Sequence, residues 1–472
     1  MGDPLSDSIR EAQSRAEQCG QSHVLAHWED LSTAQREDLA RQVLDIDFSL
    51  LNRLVERWIA NPQPPERFSS ITPAPVLPRA TAGSSTTEAF EAGEEALRSG
   101  SVGLVLVAGG QGTRLGYGGP KGAYPIGPIS GRSLFAFHAE KILNLQARYD
   151  CTLPWFIMVG ESNEEATKTF FREQHYFGLR EEDVFFFKQR MVPSVDERGK
   201  LLLEDRDRIA MNPNGHGGCI PALVESGLLA EARTRGIDTL CYFQVDNWAV
   251  KVADPYFIGH HILGNSEMSS KVHRKSAPRE SSGVFCVCDG VLRVIEYTEL
   301  DIYPALLETD AAGSPVHSAA NAAIHILSIE FMERVYERFD EFPWHCAHKA
   351  IPHLDAQGTL VTPDSANAYK FETFIFDALR YATRPPVVLE IDRLGEFTPT
   401  KQLTGPGSVE MARKDMTRYW GEWLDAAGCP PDENRVIEIS PQFALTKEEF
   451  VEKSKGMRWP ESGDIAIGPD GN

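Results

Sequence analysis

The chain has 472 residues, 24% of them charged and 42% hydrophobic, enough for a large core and two or three domains. Lys and Arg number 47 against 68 Asp and Glu, a net charge of −21, which argues against nucleic acid or an anionic membrane as a standing partner. An anionic substrate therefore needs a local basic pocket. The N-terminus is acidic and polar without an apolar core, unlike a secretory signal or transit peptide, and no apolar run reaches membrane-spanning length. The 8 cysteines include no CxxC pair; Cys286 and Cys288 share one face of a strand-like run, and buried free thiols in the cytoplasm are the expectation.

Residues up to about 60 read as helical. Ser32 and Gln35 have capping-box spacing, and Leu39, Val43, Ile46, Leu50, Leu54 and Trp58 recur every three or four residues, which predicts one long amphipathic helix. Asn61 to Ser85 holds 6 prolines and reads as an extended strap joining the helical region to a catalytic domain.

Val102 to Val107 is an apolar run without alternation, which fits a strand buried on both faces of a parallel sheet. It stops at a glycine cluster, Gly109, Gly110 and Gly112, where several backbone N–H groups can converge on an anion. Arg114 and Lys121 follow, a guanidinium fork and a point charge suited to a triphosphate. The spacing matches neither the dinucleotide GxGxxG nor the Walker GK[ST] pattern.

Trp155–Val159, Val184–Phe187, Thr239–Val245, Gly283–Val287 and Val387–Ile391 read as further strands, and Glu164–Gln174 and Ile329–Phe339 as helices. The alternation predicts an α/β fold with a Rossmann-like, mostly parallel sheet. Gly395–Gly407 is loop-rich. Ser408–Ala427 reads as a helix with Met411, Met416, Tyr419, Trp420 and Trp423 on its apolar side, Val436–Ile439 as a strand, and the last residues as a frayed tail. The expected division is 1–85 helical region and strap, 86–394 catalytic domain, 395–472 small C-terminal domain.

Other candidate positions gain meaning together. NPNGHGG at 212–218 is a second glycine loop, by itself an ordinary turn. Asp246 ends a buried strand at the edge where open α/β sheets bind ligands; it could hold Mg²⁺ or simply cap the next turn, and its own surroundings leave both open. Phe374 and Phe376 would share a face only in a strand, while Glu296 and Lys401 read as ordinary surface charges.

In order, the blocks LVLVAGGQGTRLG, PKG, KQRMVPS, NPNGHGG, VDNWAVKVADPYFIG, VIEYTEL, AAN, KFETFIFDAL and EFTPTK resemble the eukaryotic-type UDP-sugar pyrophosphorylases, in particular the UDP-N-acetylglucosamine pyrophosphorylases. The resemblance spans roughly residues 20 to 405 and, more loosely, the rest. It implies a GT-A-like nucleotidyltransferase fold, Mg²⁺, and uridylyl transfer from UTP to a sugar 1-phosphate. It assigns Arg114 and Lys121 to the triphosphate, Asp246 to the metal and Lys401 to the sugar phosphate. Gln189 and the backbone of Gly215 would read uracil, with Gly109 and Gly110 along the nucleoside. His216, Gly283, Glu296, Asn321, Phe374 and Phe376 would line the sugar pocket. The chain departs from the family pattern around that pocket, with Asn214 and His216 for Asp and Asn, Ala320 before Asn321, Ile324 before His325, and Arg190 after Gln189. The readings carried forward are N-acetylglucosamine 1-phosphate as acceptor, glucose or galactose 1-phosphate instead, and a non-catalytic UDP-sugar-binding protein.

Overall fold

In the computed structural model of the chain, which describes residues 4–79, 87–429, 432 and 434–472, Ser32 and Gln35 close the capping box that their spacing suggests. Helix Thr33–Asp45 follows, but it does not run on to Trp58. The chain breaks at Ile46, Asp47 caps a second helix, Phe48–Val55, by accepting from the Leu50 N–H at 2.9 Å, and a π-turn, Glu56–Ala60, ends it. Ile46 is buried at the break, so the apolar spacing continues across a corner and hides it.

These helices and Pro4–Gln18 belong to a smaller unit made of Met1–Arg67, Arg190–Gly218 and Glu341–Ile375. Leu39, Val43, Leu51 and Leu54 share its core with Val192, Val195, Ile209 and Phe371. Its strands are short: Met191–Pro193 pairs antiparallel with Met211–Pro213, and Ala368–Glu372 pairs with both His345–Lys349 and Val195–Asp196.

The larger unit, Phe68–Gln189, Cys219–Asp340 and Phe376–Asn472, holds the main sheet. Its strands are β1 (Ile71–Pro73), β2 (Val102–Val107), β3 (Trp155–Val159), β4 (Val184–Lys188), β5 (Thr239–Gln244), β6 (Met268–Arg274), β7 (Val284–Cys288), β8 (Val291–Ile295), β9 (Ala319–Ser328) and β10 (Val387–Glu390). The order is β1-β7-β9-β5-β2-β3-β4, with β8 on β7 and β6 between β9 and β10. β5, β2, β3 and β4 are mutually parallel, the Rossmann-like half that the alternation predicts, while the other half is antiparallel except for β10, which pairs parallel with β6. β3 is buried throughout, as is all of β2 but Val107, which is why neither alternates.

The strap behaves as expected where it is described. Ile71–Pro73 adds β1 to the sheet edge, where a proline costs no ladder bond, and the Leu77 N–H donates to the Val388 oxygen at 2.8 Å. Residues 80–85 of the expected strap lie outside the described residues. Cys286 and Cys288 are buried on one face, their Sγ atoms 3.5 Å apart.

The two units interleave along the chain, unlike the three consecutive stretches expected. Helix Val409–Ala426 buries Met416, Trp420 and Trp423 in the same core as β2 and β3, so residues 395–472 have no core of their own. Met411, expected on the buried side, is 45% exposed. The tail is not frayed: Ile465–Ile467 pairs parallel with Ile437–Ile439, with both end isoleucines buried on one face.

Candidate active site

Where β2 ends, Gly109 brings the backbone against Gln189, which follows β4. A Cβ on Gly109 would lie 2.9 Å from the Gln189 Oε1 and 3.2 Å from the Gly160 nitrogen, so a side chain here would displace the Gln189 amide, whereas Gly110 faces open space. The Gly110 oxygen accepts from the Lys121 N–H at 3.1 Å, which draws the lysine turn back onto the loop. Buried Asn163 fastens the same loop: its Nδ2 donates to the oxygens of Ala108 (2.9 Å) and Gly110 (3.1 Å), and its Oδ1 accepts from the Gly160 N–H (2.8 Å). Arg114 stands exposed in the turn Thr113–Leu115.

Asp246 follows β5 at the same sheet edge, since β2 and β5 run parallel. The Lys121 Nζ lies 2.8 Å from its Oδ2, an ion pair closing the concave face of the glycine loop. The Asp246 backbone oxygen accepts from the Thr400 N–H at 2.9 Å, and Asn247 forms a bridge with Pro399. The buried Asn247 amide completes the join: Nδ2 donates to the Glu396 oxygen (2.7 Å) and Oδ1 accepts from the Thr398 N–H (3.1 Å). Lys401, exposed, is thereby held one residue beyond the backbone contact with Asp246. From helix Leu134–Tyr149, the His138 Nε2 lies 3.1 Å from the Val245 oxygen, and the Lys141 Nζ donates to the Val250 oxygen at 2.8 Å and to that of Trp248. Burial holds His138 neutral, its pKa lowered to about 3.

Gly283, Glu296 and Asn321 form a second group. The Asn321 N–H donates to the Gly283 oxygen at 2.8 Å, and a Cβ on Gly283 would come within 2.6 Å of the Glu296 Oε1. Asn321 lies near the start of β9, antiparallel to β5, and so toward the end where Asp246 follows β5. Ile324 is packed into the main core.

The smaller unit carries Gly215, His216 and Phe374. The Asn214 oxygen accepts from the Thr373 N–H (2.8 Å) and Oγ1 (2.9 Å), and the Gly217 N–H donates to the Thr373 oxygen (2.9 Å). Gly215 has φ +82°, and its Cβ would lie 2.2 Å from the Thr373 oxygen, so any larger residue is excluded. The His216 Nδ1 accepts from the Ile375 N–H at 3.1 Å, which places the ring proton on Nε2. Its ring stacks on Phe374 at 5.2 Å, Phe374 meets His345 at 4.3 Å, and burial lowers the His216 pKa to about 4. Phe376 belongs to the larger unit and is 3% exposed.

Sequence reasoning missed Asn163, Asn247, His138, Lys141 and Thr373. Asn247 had a signal, its place directly after Asp246 at a strand end. The others read as ordinary polar residues because the carbonyls that they hold are distant in sequence.

Among the described residues no group of three or more His, Cys, Asp or Glu side chains could hold a metal. Asp246, with Oδ2 already facing a cation, suits an ion that takes one protein carboxylate and completes its shell with phosphate and water, as Mg²⁺ does.

The family model described as UTP–glucose-1-phosphate uridylyltransferase matches residues 69–418. The chain is 35% identical to the UDP-N-acetylhexosamine pyrophosphorylase-like protein 1 of Xenopus tropicalis, over 98% of this chain and 99% of that one. It is 32% identical to the UDP-N-acetylglucosamine pyrophosphorylase of Saccharomyces cerevisiae, over 95% and 98% respectively. The crystal structure of the uridine diphosphate N-acetylglucosamine pyrophosphorylase of Trypanosoma brucei, solved with an inhibitor, superposes with TM-score 0.81 at 26% identity, covering 98% of each chain.

Proposed function

The chain belongs to the family described as UTP–glucose-1-phosphate uridylyltransferase, and from that premise we propose that it transfers UMP from UTP to N-acetylglucosamine 1-phosphate, giving UDP-N-acetylglucosamine and pyrophosphate. Relatives named for the N-acetylated sugar, aligned over nearly the whole chain, support that acceptor. The observation that carries the reaction is the junction at Asp246, where the glycine loop, the Lys121 ammonium at 2.8 Å and the segment ending in Lys401 meet at one sheet edge.

A phosphate oxygen of the sugar 1-phosphate attacks the α-phosphorus of UTP, and the bond to the β-phosphate breaks as pyrophosphate leaves. Arg114 and Lys121 take up charge on the triphosphate and departing pyrophosphate, while Lys401 holds the sugar phosphate. Lys121 exchanges the Asp246 carboxylate for phosphate as substrate enters. Asp246 would hold Mg²⁺, which when bound supplies further neutralisation of the phosphates. Gln189 and Gly215 read uracil, and Gly109 and Gly110 let the nucleoside approach the backbone. For the sugar, the smaller unit offers the neutral ring of His216 beside Phe374, and the larger unit offers Gly283, Glu296, Asn321 and Phe376. We place the protein in the cytoplasm, without nucleic-acid or membrane partners: the 8 cysteines include no CxxC pair, and the net charge is −21.

The test is pyrophosphate release from UTP and Mg²⁺ with N-acetylglucosamine, glucose and galactose 1-phosphates in parallel. Preference for the first is expected. Preference for a plain hexose moves the acceptor and keeps the chemistry; no release with any of them overturns the reading.

A further inference from the structure

A cavity of about 570 Å³ opens within the larger unit, lined in part by Trp248 to Val252, the residues that follow Asp246. Its walls are rich in aromatic rings: Tyr149, Trp248, Tyr256, Tyr419, Trp420 and Trp423. Size and lining are those of a small-molecule site, a mostly apolar concavity with a few polar groups to fix orientation.

The charges around it nearly cancel. The Lys271 Nζ pairs with the Asp254 Oδ2 at 2.6 Å and the Glu396 Oε2 at 2.5 Å, and the Lys251 Nζ with the Glu396 Oε1 at 3.0 Å. Arg79 pairs with Asp392 and Glu390 with Arg274, each at 2.9 Å, and Arg148 pairs with Glu449. Lys141 is left over. It lines the cavity, is 8% exposed, and donates to the Trp248 and Val250 oxygens; the Glu396 and Glu140 carboxylates act on its charge from a distance, but among the described residues none forms an ion pair with it. Burying an ammonium is costly, and desolvation lowers its pKa to about 7 even though Glu396 and Glu140 favour the charge.

We propose that this cavity is a second ligand site, distinct from the UTP site, for a small aromatic carboxylate whose ring lies among the tryptophans and tyrosines and whose anion pairs with Lys141. Apolar walls favour a flat hydrophobic body; a buried ammonium with no carboxylate in contact favours one negative charge. Because Lys141 fastens the carbonyls of Trp248 and Val250, the occupant meets the segment that carries Asp246.

The experiment is titration of the purified full chain with 1-naphthoate and, separately, uncharged 1-naphthamide, read by quenching of tryptophan fluorescence. Saturable binding of naphthoate at least about tenfold tighter than naphthamide is expected, the worth of one charge-assisted hydrogen bond. Lys141→Met should bring the two affinities together, and saturating UTP should leave naphthoate binding unchanged. Equal affinities in the wild-type chain, absence of saturable binding in the millimolar range, or displacement by UTP overturns the proposal. The wild-type comparison decides even if the variant folds poorly, and none of these readouts depends on uridylyl transfer.

Discussion

Lys121 and Asp246 satisfy each other's charge at 2.8 Å until phosphate arrives, so removing either changes the site before any substrate binds. Lys121→Ala and Asp246→Ala should each lower kcat by about 10²–10³-fold, the scale of losing one transition-state charge contact, with little change in melting temperature; near-normal turnover removes that residue from the mechanism. Gly109→Ala tests a steric demand instead. Its methyl would press on the Gln189 Oε1 at 2.9 Å, displacing the residue assigned to uracil, so KM for UTP should rise more than kcat falls; an unchanged KM would detach Gln189 from the nucleotide. Much of this was legible in the sequence because it is local: a buried strand, glycines and two cations within twenty positions. Asn163 was not, since an asparagine serving Ala108 and Gly110 from more than fifty residues away looks like any polar residue in a loop.

The element that most affects the chemistry is the join between the Asp246 segment and residues 396–400. Asn247→Ala deletes two hydrogen bonds that hold it and strands buried backbone groups, at a cost of about 1–3 kcal/mol. Lys401 would lose its register against Asp246, so kcat should fall with the KM for UTP little changed; an equal fall in stability with kcat intact would make Asn247 merely structural. Two helices cross at backbone contact, where a Cβ on Gly259 would lie 1.5 Å from the Ala89 oxygen and one on Gly93 would lie 1.8 Å from that of Pro255. Gly259→Ala should therefore destabilise by about 3 kcal/mol or more, read by denaturant unfolding. Most elements were legible from apolar pattern, including β2 to β5 and the capped helix at Thr33. The corner at Ile46 was not, because its buried residues keep helical spacing, and the C-terminal strand Ile465–Ile467 was too short for its alternation to outweigh the polar flanks.

Across the whole molecule, several histidines are held neutral by burial: the pKa values of His216, His261 and His273 are lowered to about 4, and that of His138 to about 3. The unfolded chain takes up these protons near pH 6.5, so stability present above that value is lost as pH falls from about 6.5 toward 4, before most carboxylates titrate. The melting temperature should drop between pH 7 and 5; a flat profile would mean that these side chains are solvated. The domain division was the least legible feature, because sequence shows neighbours along the chain and the smaller unit is assembled from three separated stretches, Met1–Arg67, Arg190–Gly218 and Glu341–Ile375. That arrangement fixes an order of events at the ribosome. The helices up to Ala60 emerge before their core partners Val192, Val195 and Phe371, so the smaller unit cannot close until residue 371 is made. Until then its apolar faces wait uncovered, and a chain released before that point has no way to finish either the helical core or the loop that carries His216.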